Sequence, residues 1–153
     1  MKRSACFQTL SIKAATWLAV FLMATGNPIL AQWVQTNGPY GGGIRCFADS
    51  GTNLFAGASN GGVFRSTNNG TSWTAVNTGF EYYPIDALAV LGTNLFAGTG
   101  TSVYLSSNNG TTWRKVSSGL INPWLNALAV SGTNLFAGTD DGVFLSADRG
   151  TSW

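Results

Sequence analysis

Acid–base chemistry in this chain would have to come from its six carboxylates, Asp49, Glu81, Asp86, Asp140, Asp141 and Asp148, because the sequence contains no histidine. Without an imidazole, Ser-His-Asp and Cys-His nucleophile systems are excluded, and so are histidine-bearing metal sites. Cys6 lies in the first 31 residues, which leaves Cys46 alone in the rest of the chain. One cysteine makes neither an internal disulfide nor a thiolate zinc site. Glycoside hydrolysis needs two carboxylates facing each other across the scissile bond, about 5–9.5 Å apart. Nothing in the spacing of the six singles out such a pair, so no catalytic residue, metal or cofactor is assigned.

Binding chemistry has better candidates. Tyr82, Tyr83 and Trp124 can stack against sugar rings or grip a peptide, with Glu81 and Asp140 as polar partners. They fall in the segments that differ most along the chain, 40–43, 80–83 and 120–124, with the shorter turns 59–60 and 140–141. Aromatic side chains at strand entries also pack between sheets, and both readings stay open.

These segments are spaced by a repeat. The octapeptide S-T-N-N-G-T-S-W at 66–73 returns as 106–113 and 146–153, 40 residues apart each time. Its frame is Ser66, Asn68, Gly70 and Trp73, then Ser106, Asn108, Gly110 and Trp113, then Ser146, Asp148, Gly150 and Trp153. The Asn or Asp side chain suits an Asx-type turn, bonding the main chain two residues on. Glycine supplies a positive φ without steric cost. Asn69-Gly70 and Asn109-Gly110 are hairpin dipeptides, whereas Arg149-Gly150 breaks that version in the third copy. The Trp is expected to open the next strand and to bury a large aromatic surface.

The surrounding unit predicts four short strands. In the second copy these are 85–90, 95–98, 102–106 and 113–116, and the heptapeptide G-T-N-L-F-A-G recurs unchanged at 51–57, 92–98 and 132–138. Ala56, Ala97 and Ala137 suit strands packed closely between neighbouring sheets, and no helical periodicity interrupts the pattern. Trp33, Trp73, Trp113 and Trp153 are each 40 residues apart, so 33–37 reads as an isolated fourth strand. A repeat of this length marks solenoids and propellers. The fold class is therefore all-β, a propeller of four-stranded antiparallel blades with about three blades present, against an open β-solenoid as the alternative.

The octapeptide resembles the Asp-box, or BNR repeat, found in β-propellers of the sialidase-like, sortilin-like and photosystem-assembly-factor-like kinds; Asn68 and Asn108 stand where the usual form has Asp. The resemblance implies propeller blades with the octapeptides as structural turns. It also raises a glycosidase reading, since Asp-box proteins include sialidases. The sialidase pattern has an arginine cluster, an Arg-Ile-Pro-like motif and a Tyr-Glu pair, whereas Pro39, Pro84 and Pro123 are not preceded by Arg-Ile and Glu81 neighbours Tyr82 only in sequence. No catalytic role carries over. The expected function is a secreted, non-catalytic binding or scaffold module, with the N-terminal part of a secreted sialidase- or xyloglucanase-like glycoside hydrolase as the alternative.

Residues 1–31 read as a signal peptide: Lys2, Arg3 and Lys13 precede an apolar run at 14–24, and Ala31 offers a small residue at the cut. The run is too short to span a bilayer, which takes about 20 residues, so no stable membrane span is expected after cleavage. The repeat region, 32–153, then carries five basic residues (Arg45, Arg65, Arg114, Lys115, Arg149) against six acidic ones. That balance lacks the clustered basic face that nucleic acid requires, and the expected partners are a carbohydrate or a protein or peptide. Asn69-Gly70-Thr71 and Asn109-Gly110-Thr111 fit the N-glycosylation pattern, but the turn already demands those residues. Three blades fall short of the typical 4–8 of a closed ring. The chain is therefore expected to be a fragment, or else a homodimer in which each Trp33 strand completes the partner's third blade.

Overall fold

The computed structural model describes residues 35–40, 42–80, 84–121 and 124–153. The expectations for residues 1–31, for Trp33 and for Glu81, Tyr82 and Tyr83 fall outside them. The described residues are all-β: β1 (Ile44–Ser50), β2 (Asn53–Ala58), β3 (Gly62–Ser66), β4 (Thr74–Ala75), β5 (Ile85–Leu91), β6 (Asn94–Thr99), β7 (Ser102–Ser106), β8 (Arg114–Lys115), β9 (Leu125–Ser131), β10 (Asn134–Thr139) and β11 (Gly142–Ser146). Among them no helix is long and apolar enough to cross a membrane.

Consecutive strands pair antiparallel into three sheets: β1–β4, β5–β8 and β9–β11. The heptapeptide explains each first hairpin. Its Gly, at φ 64° for Gly51 and Gly92 and 59° for Gly132, is the first residue of a two-residue turn, and Ser50 faces Asn53 across it. That placement of glycine matches the right-handed twist of the strands it joins. The Trp of each octapeptide ends the turn rather than opening the strand, since β4 starts at Thr74 and β8 at Arg114. The fourth strands are two residues long, shorter than the sequence pattern suggests.

The sheets stack face to face. In the first interface Phe55, Val63 and Val76 of the first sheet meet Ile85, Leu88, Leu95, Tyr104 and Trp113 of the second. In the next, Ala87, Phe96, Val103, Leu105 and Val116 meet Leu125, Leu135 and Ala137 of the third. The closing glycine of the heptapeptide sets the approach. A Cβ on Gly57 would stand 2.6 Å from Ile85 Cγ2, and one on Gly98 would stand 2.2 Å from Leu125 Cδ2. Each sheet thus presents a bare socket to the first residue of the following one.

Cys46 lies in this first interface, half-buried on β1. Burial pushes its thiol up to about 11, so at neutral pH it is an un-ionised, unreactive side chain.

Candidate functional site

Each octapeptide is a polar knot built on its serine. Ser66 Oγ accepts the amide of Gly70 at 2.9 Å and donates to Asn68 Oδ1 at 2.9 Å. Asn68 Oδ1 in turn accepts the amide of Ser72, four residues on rather than the two expected of an Asx turn. The same bonds recur around Ser106 and Asn108 and around Ser146 and Asp148. Because both Asn69 (φ 53°) and Gly70 (φ 83°) must turn left-handed, the pair is a two-residue bend. Arg149 adopts the same bend at φ 60°, so the third copy does not break the pattern. The serine and Asp148 bonds hold its backbone where an arginine alone would resist.

One atom differs between copies. Asn68 Nδ2 donates to Ser72 Oγ at 2.9 Å, whereas Asp148 Oδ2 accepts from the Ser152 hydroxyl. A hydroxyl does both, so the turn tolerates the exchange. The Ser152 hydroxyl, its amide and the Ser146 hydroxyl hold the Asp148 carboxyl down at about 2.

The tryptophans tie neighbouring units together. Trp113 Nε1 donates to the Val76 carbonyl at 2.8 Å and Trp153 Nε1 to that of Val116 at 2.9 Å. Trp113 is buried and Phe80 stacks on it, with ring centroids 4.7 Å apart. Trp73 is only half-buried, and its indole nitrogen, although shielded from solvent, has no hydrogen-bond partner among the described residues.

The opposite end of the sheets, where β2 turns into β3 and β6 into β7, carries a row of polar side chains. Register slips at the same place in each sheet: between Ile44 and Cys46, between Ile85 and Ala87, and at Gly138/Thr139, which face Ala127 and Leu125. The residue left over in each bulge is Arg45, Asp86 or Asn126. A bulge re-aims its side chain out of the pleat. Arg45 pairs with Asp86 across the first interface. Asn126 Nδ2 donates to Asp140 Oδ1 at 2.7 Å, and the Asp140 amide donates to the Trp124 carbonyl at 3.1 Å.

Trp124 stands at this end with 66% of its surface exposed. One edge of its indole lies 3.3 Å from where a Cβ on Gly100 would be, so the missing side chain lets the ring lie close. Asp140 takes the place of Gly100 in the next sheet. Of the candidate residues, then, Trp124 and Asp140 come together here. Tyr40 and Ile121 are exposed in the neighbouring variable segments, while Phe80 is drawn into packing against Tyr104 and Trp113. Sequence reasoning missed Arg45, Asp86 and Asn126 as a set. Their signal was present: one aligned column, polar in every unit and different in each, inside an otherwise apolar strand.

Arg45 pairs with Asp86 and the Asn126 amide donates to Asp140, so both carboxylates of this row have a side-chain partner. Among the described residues no three His, Cys, Asp or Glu side chains are grouped to hold a metal ion. What the row offers is an aromatic face flanked by hydrogen-bonding groups.

No family model matches the chain, and no curated protein matches it. Solved structures do. The chain is similar to an ancestral GH74 enzyme (24% identity, TM-score 0.61, 74% of this chain and 18% of that one). It is similar also to YCF48 from Cyanidioschyzon merolae (16%, TM-score 0.67, 80% and 39%). A third likeness is to the extracellular domain of a one-component system of B. thetaiotaomicron (19%, TM-score 0.59, 74% and 16%). All are β-propellers, and this chain spans less than half of each. The three sheets are propeller blades.

Proposed function

We propose that this chain is a binding part of an exported Asp-box (BNR) propeller, and that it takes a carbohydrate on the face formed by the β2–β3, β6–β7 and β10–β11 turns. The observation that carries the reading is Trp124. Its indole is two-thirds exposed and lies over Gly100, where a Cβ would also stand 4.0 Å from Asp86 Oδ2, and its carbonyl accepts the Asp140 amide. An apolar ring left in water on a face that also carries carboxylates and an amide suits a pyranose, whose C–H face stacks while its hydroxyls bond polar groups nearby. Export is supported by the basic start and apolar run of residues 1–31.

A glycan array followed by calorimetry on the full chain tests this. Binding that falls at least tenfold in Trp124→Ala, with unchanged thermal unfolding, is the expected result. Undiminished binding in that variant would move the site elsewhere, and selective capture of peptides would replace the ligand class.

A second reading is favoured by the likeness to the GH74 enzyme: the chain is the N-terminal part of a glycoside hydrolase whose catalytic carboxylates lie elsewhere in the protein. Release of reducing sugar by the full-length protein, lost on substituting a carboxylate outside these residues and not on substituting Asp86 or Asp140, would favour this reading; no release from any glycan would overturn it.

A further inference from the structure

We infer that the end of the sheets carrying the octapeptides holds a second binding site, at the junction of the second and third blades, and that it takes an acidic sugar through Arg149. At the first left-handed position of their turns, the first two octapeptides carry Asn69 and Asn109. Asn is the side chain, after Gly, that best accepts such a backbone. Arg149 takes the same conformation at φ 60° without that ease. Its guanidinium does nothing for the turn, whose bonds run through Ser146, Asp148 and Gly150 as they do in the other copies. Among the described residues it has neither a hydrogen bond nor an ion pair. The neighbouring Asp148 carboxylate is held by Ser146 and Ser152 instead.

Arg149 lines a cavity of about 520 Å³. The walls are two hairpin turns, Gly92-Thr93 between β5 and β6 and Gly132-Thr133 between β9 and β10, with Leu91 and Asn94 beside the first. That volume falls within the roughly 300–1,000 Å³ of small-molecule sites. Thr93 and Thr133 are exposed, and their hydroxyls have no partner among the described residues. A single cation among free hydroxyls, with Leu91 as the one apolar side chain, matches a pyranose that bears a carboxylate or a sulfate. The anion docks on the planar guanidinium fork, and the ring hydroxyls pair with the threonines. An acidic peptide brings the charge but not the ring hydroxyls.

The junction of the first two blades shows that packing does not call for this arginine. There Asn109 holds the place of Arg149, and the cation nearby is Arg65, whose Nη1 is engaged by the Asn109 carbonyl at 3.2 Å. At the second junction the buried Leu105 stands where Arg65 stood, and the charge sits free on the cavity instead. The site is separate from Trp124. β5, which runs from one end of the sheet to the other, is seven residues long and so spans about 20 Å.

Nuclear magnetic resonance titration of the full chain tests the inference, with a galacturonate trisaccharide, its methyl ester, a sulfated galactose trisaccharide and triglutamate as probes. The ester keeps the ring and its hydroxyls and loses the charge. Amide shifts at Thr93, Thr133 and Arg149 are expected with the galacturonate or the sulfated sugar, the tighter of the two identifying the anion. The ester and triglutamate should bind about tenfold more weakly or worse. Arg149→Asn restores the side chain of the first two turns, so it should unfold at or above the parent's temperature while affinity for the acidic sugar falls about tenfold or more. Trp124→Ala should leave that affinity unchanged, which separates this site from the one on the other face. Absence of shifts at the three residues, equal binding of the ester, or full affinity in Arg149→Asn would each overturn the inference. Triglutamate binding as tightly as the sugars, or affinity lost in Trp124→Ala, would overturn it too, the first in its ligand class and the second in its place.

Discussion

Val103 and Val143 occupy the same position in consecutive blades and read from nearly the same local sequence, yet one is wholly buried and the other three-quarters exposed. Gly98 and Gly138 differ in the same way, one pressed by Leu125 and the other open. The difference lies in what comes next along the stack, and nothing in either strand records it. In a repeat protein the worth of a residue is a nearest-neighbour property. Blade 2, covered on both faces, should therefore be the stability centre of the three.

The sharpest way to break this comparison is to remove the same side chain twice. Phe96→Ala should cost about 3–5 kcal/mol, the usual loss for a buried Phe that leaves a cavity. Phe136→Ala, on the partly exposed equivalent, should cost less than half as much when urea unfolding is followed at concentrations where the chain is monomeric. Equal losses would mean that the third blade is covered in solution.

Adding an atom gives the converse. Gly57→Ala would drive a Cβ to 2.5 Å from Cys46 Sγ and 2.6 Å from Ile85 Cγ2. Overpacking of this kind costs about 1–3 kcal/mol. Gly138→Ala meets only the Ala127 Cβ at ordinary contact distance, and its unfolding midpoint should match the parent's. A destabilised Gly138→Ala would show that the socket is occupied.

Much of this architecture was legible beforehand, and the reason is physical. Glycine at a forced positive φ, a serine and an Asn or Asp spaced to bond a turn, and apolar letters in alternation are local requirements, so the 40-residue period exposed strand order and hairpins. The misses are non-local. Arg45 and Asp86 are 41 residues apart and meet only because both blades carry the same bulge. Which tryptophan would be best covered depended on neighbours: Trp113 has Phe80 and the Val76 carbonyl, and Trp73 has neither counterpart. Arg149 looked like an exception because its residue type was weighed without the hydrogen bonds that hold its backbone.

The tryptophans offer a finer test. Trp113→Phe keeps an aromatic ring but leaves the Val76 carbonyl without its donor, at about 1–3 kcal/mol for a buried group. In Trp73→Phe the same change deletes a shielded N–H that bonds nothing among the described residues, so the loss should be confined to the smaller ring volume. Thermal unfolding of the two variants side by side should separate them by several degrees. If both fall equally, the Trp73 N–H has a partner in solution.

The smallest effect belongs to the carboxylate that stands in the third turn where the first two have an amide. Asp148 has its carboxyl lowered from 3.8 to about 2, chiefly by the Ser152 hydroxyl, and the group is fully exposed. A lowered folded-state value means that the unfolded chain binds the proton more readily, so the turn's contribution is complete above pH 3.8 and is lost as pH falls through about 2. Asn68 and Asn108 titrate nothing and should hold their turns unchanged over that window. Asp148→Asn should therefore unfold at the same temperature as the parent, or slightly below it, at pH 5. As the solution is taken toward pH 2, the difference should move in the variant's favour. Nuclear magnetic resonance titration of the Asp148 carboxyl reads the same linkage directly, with a midpoint well below 3.8 expected. A midpoint at the ordinary carboxylate value would mean that the serine hydroxyls do not hold Asp148, and that all three turns rest on their backbone bonds alone.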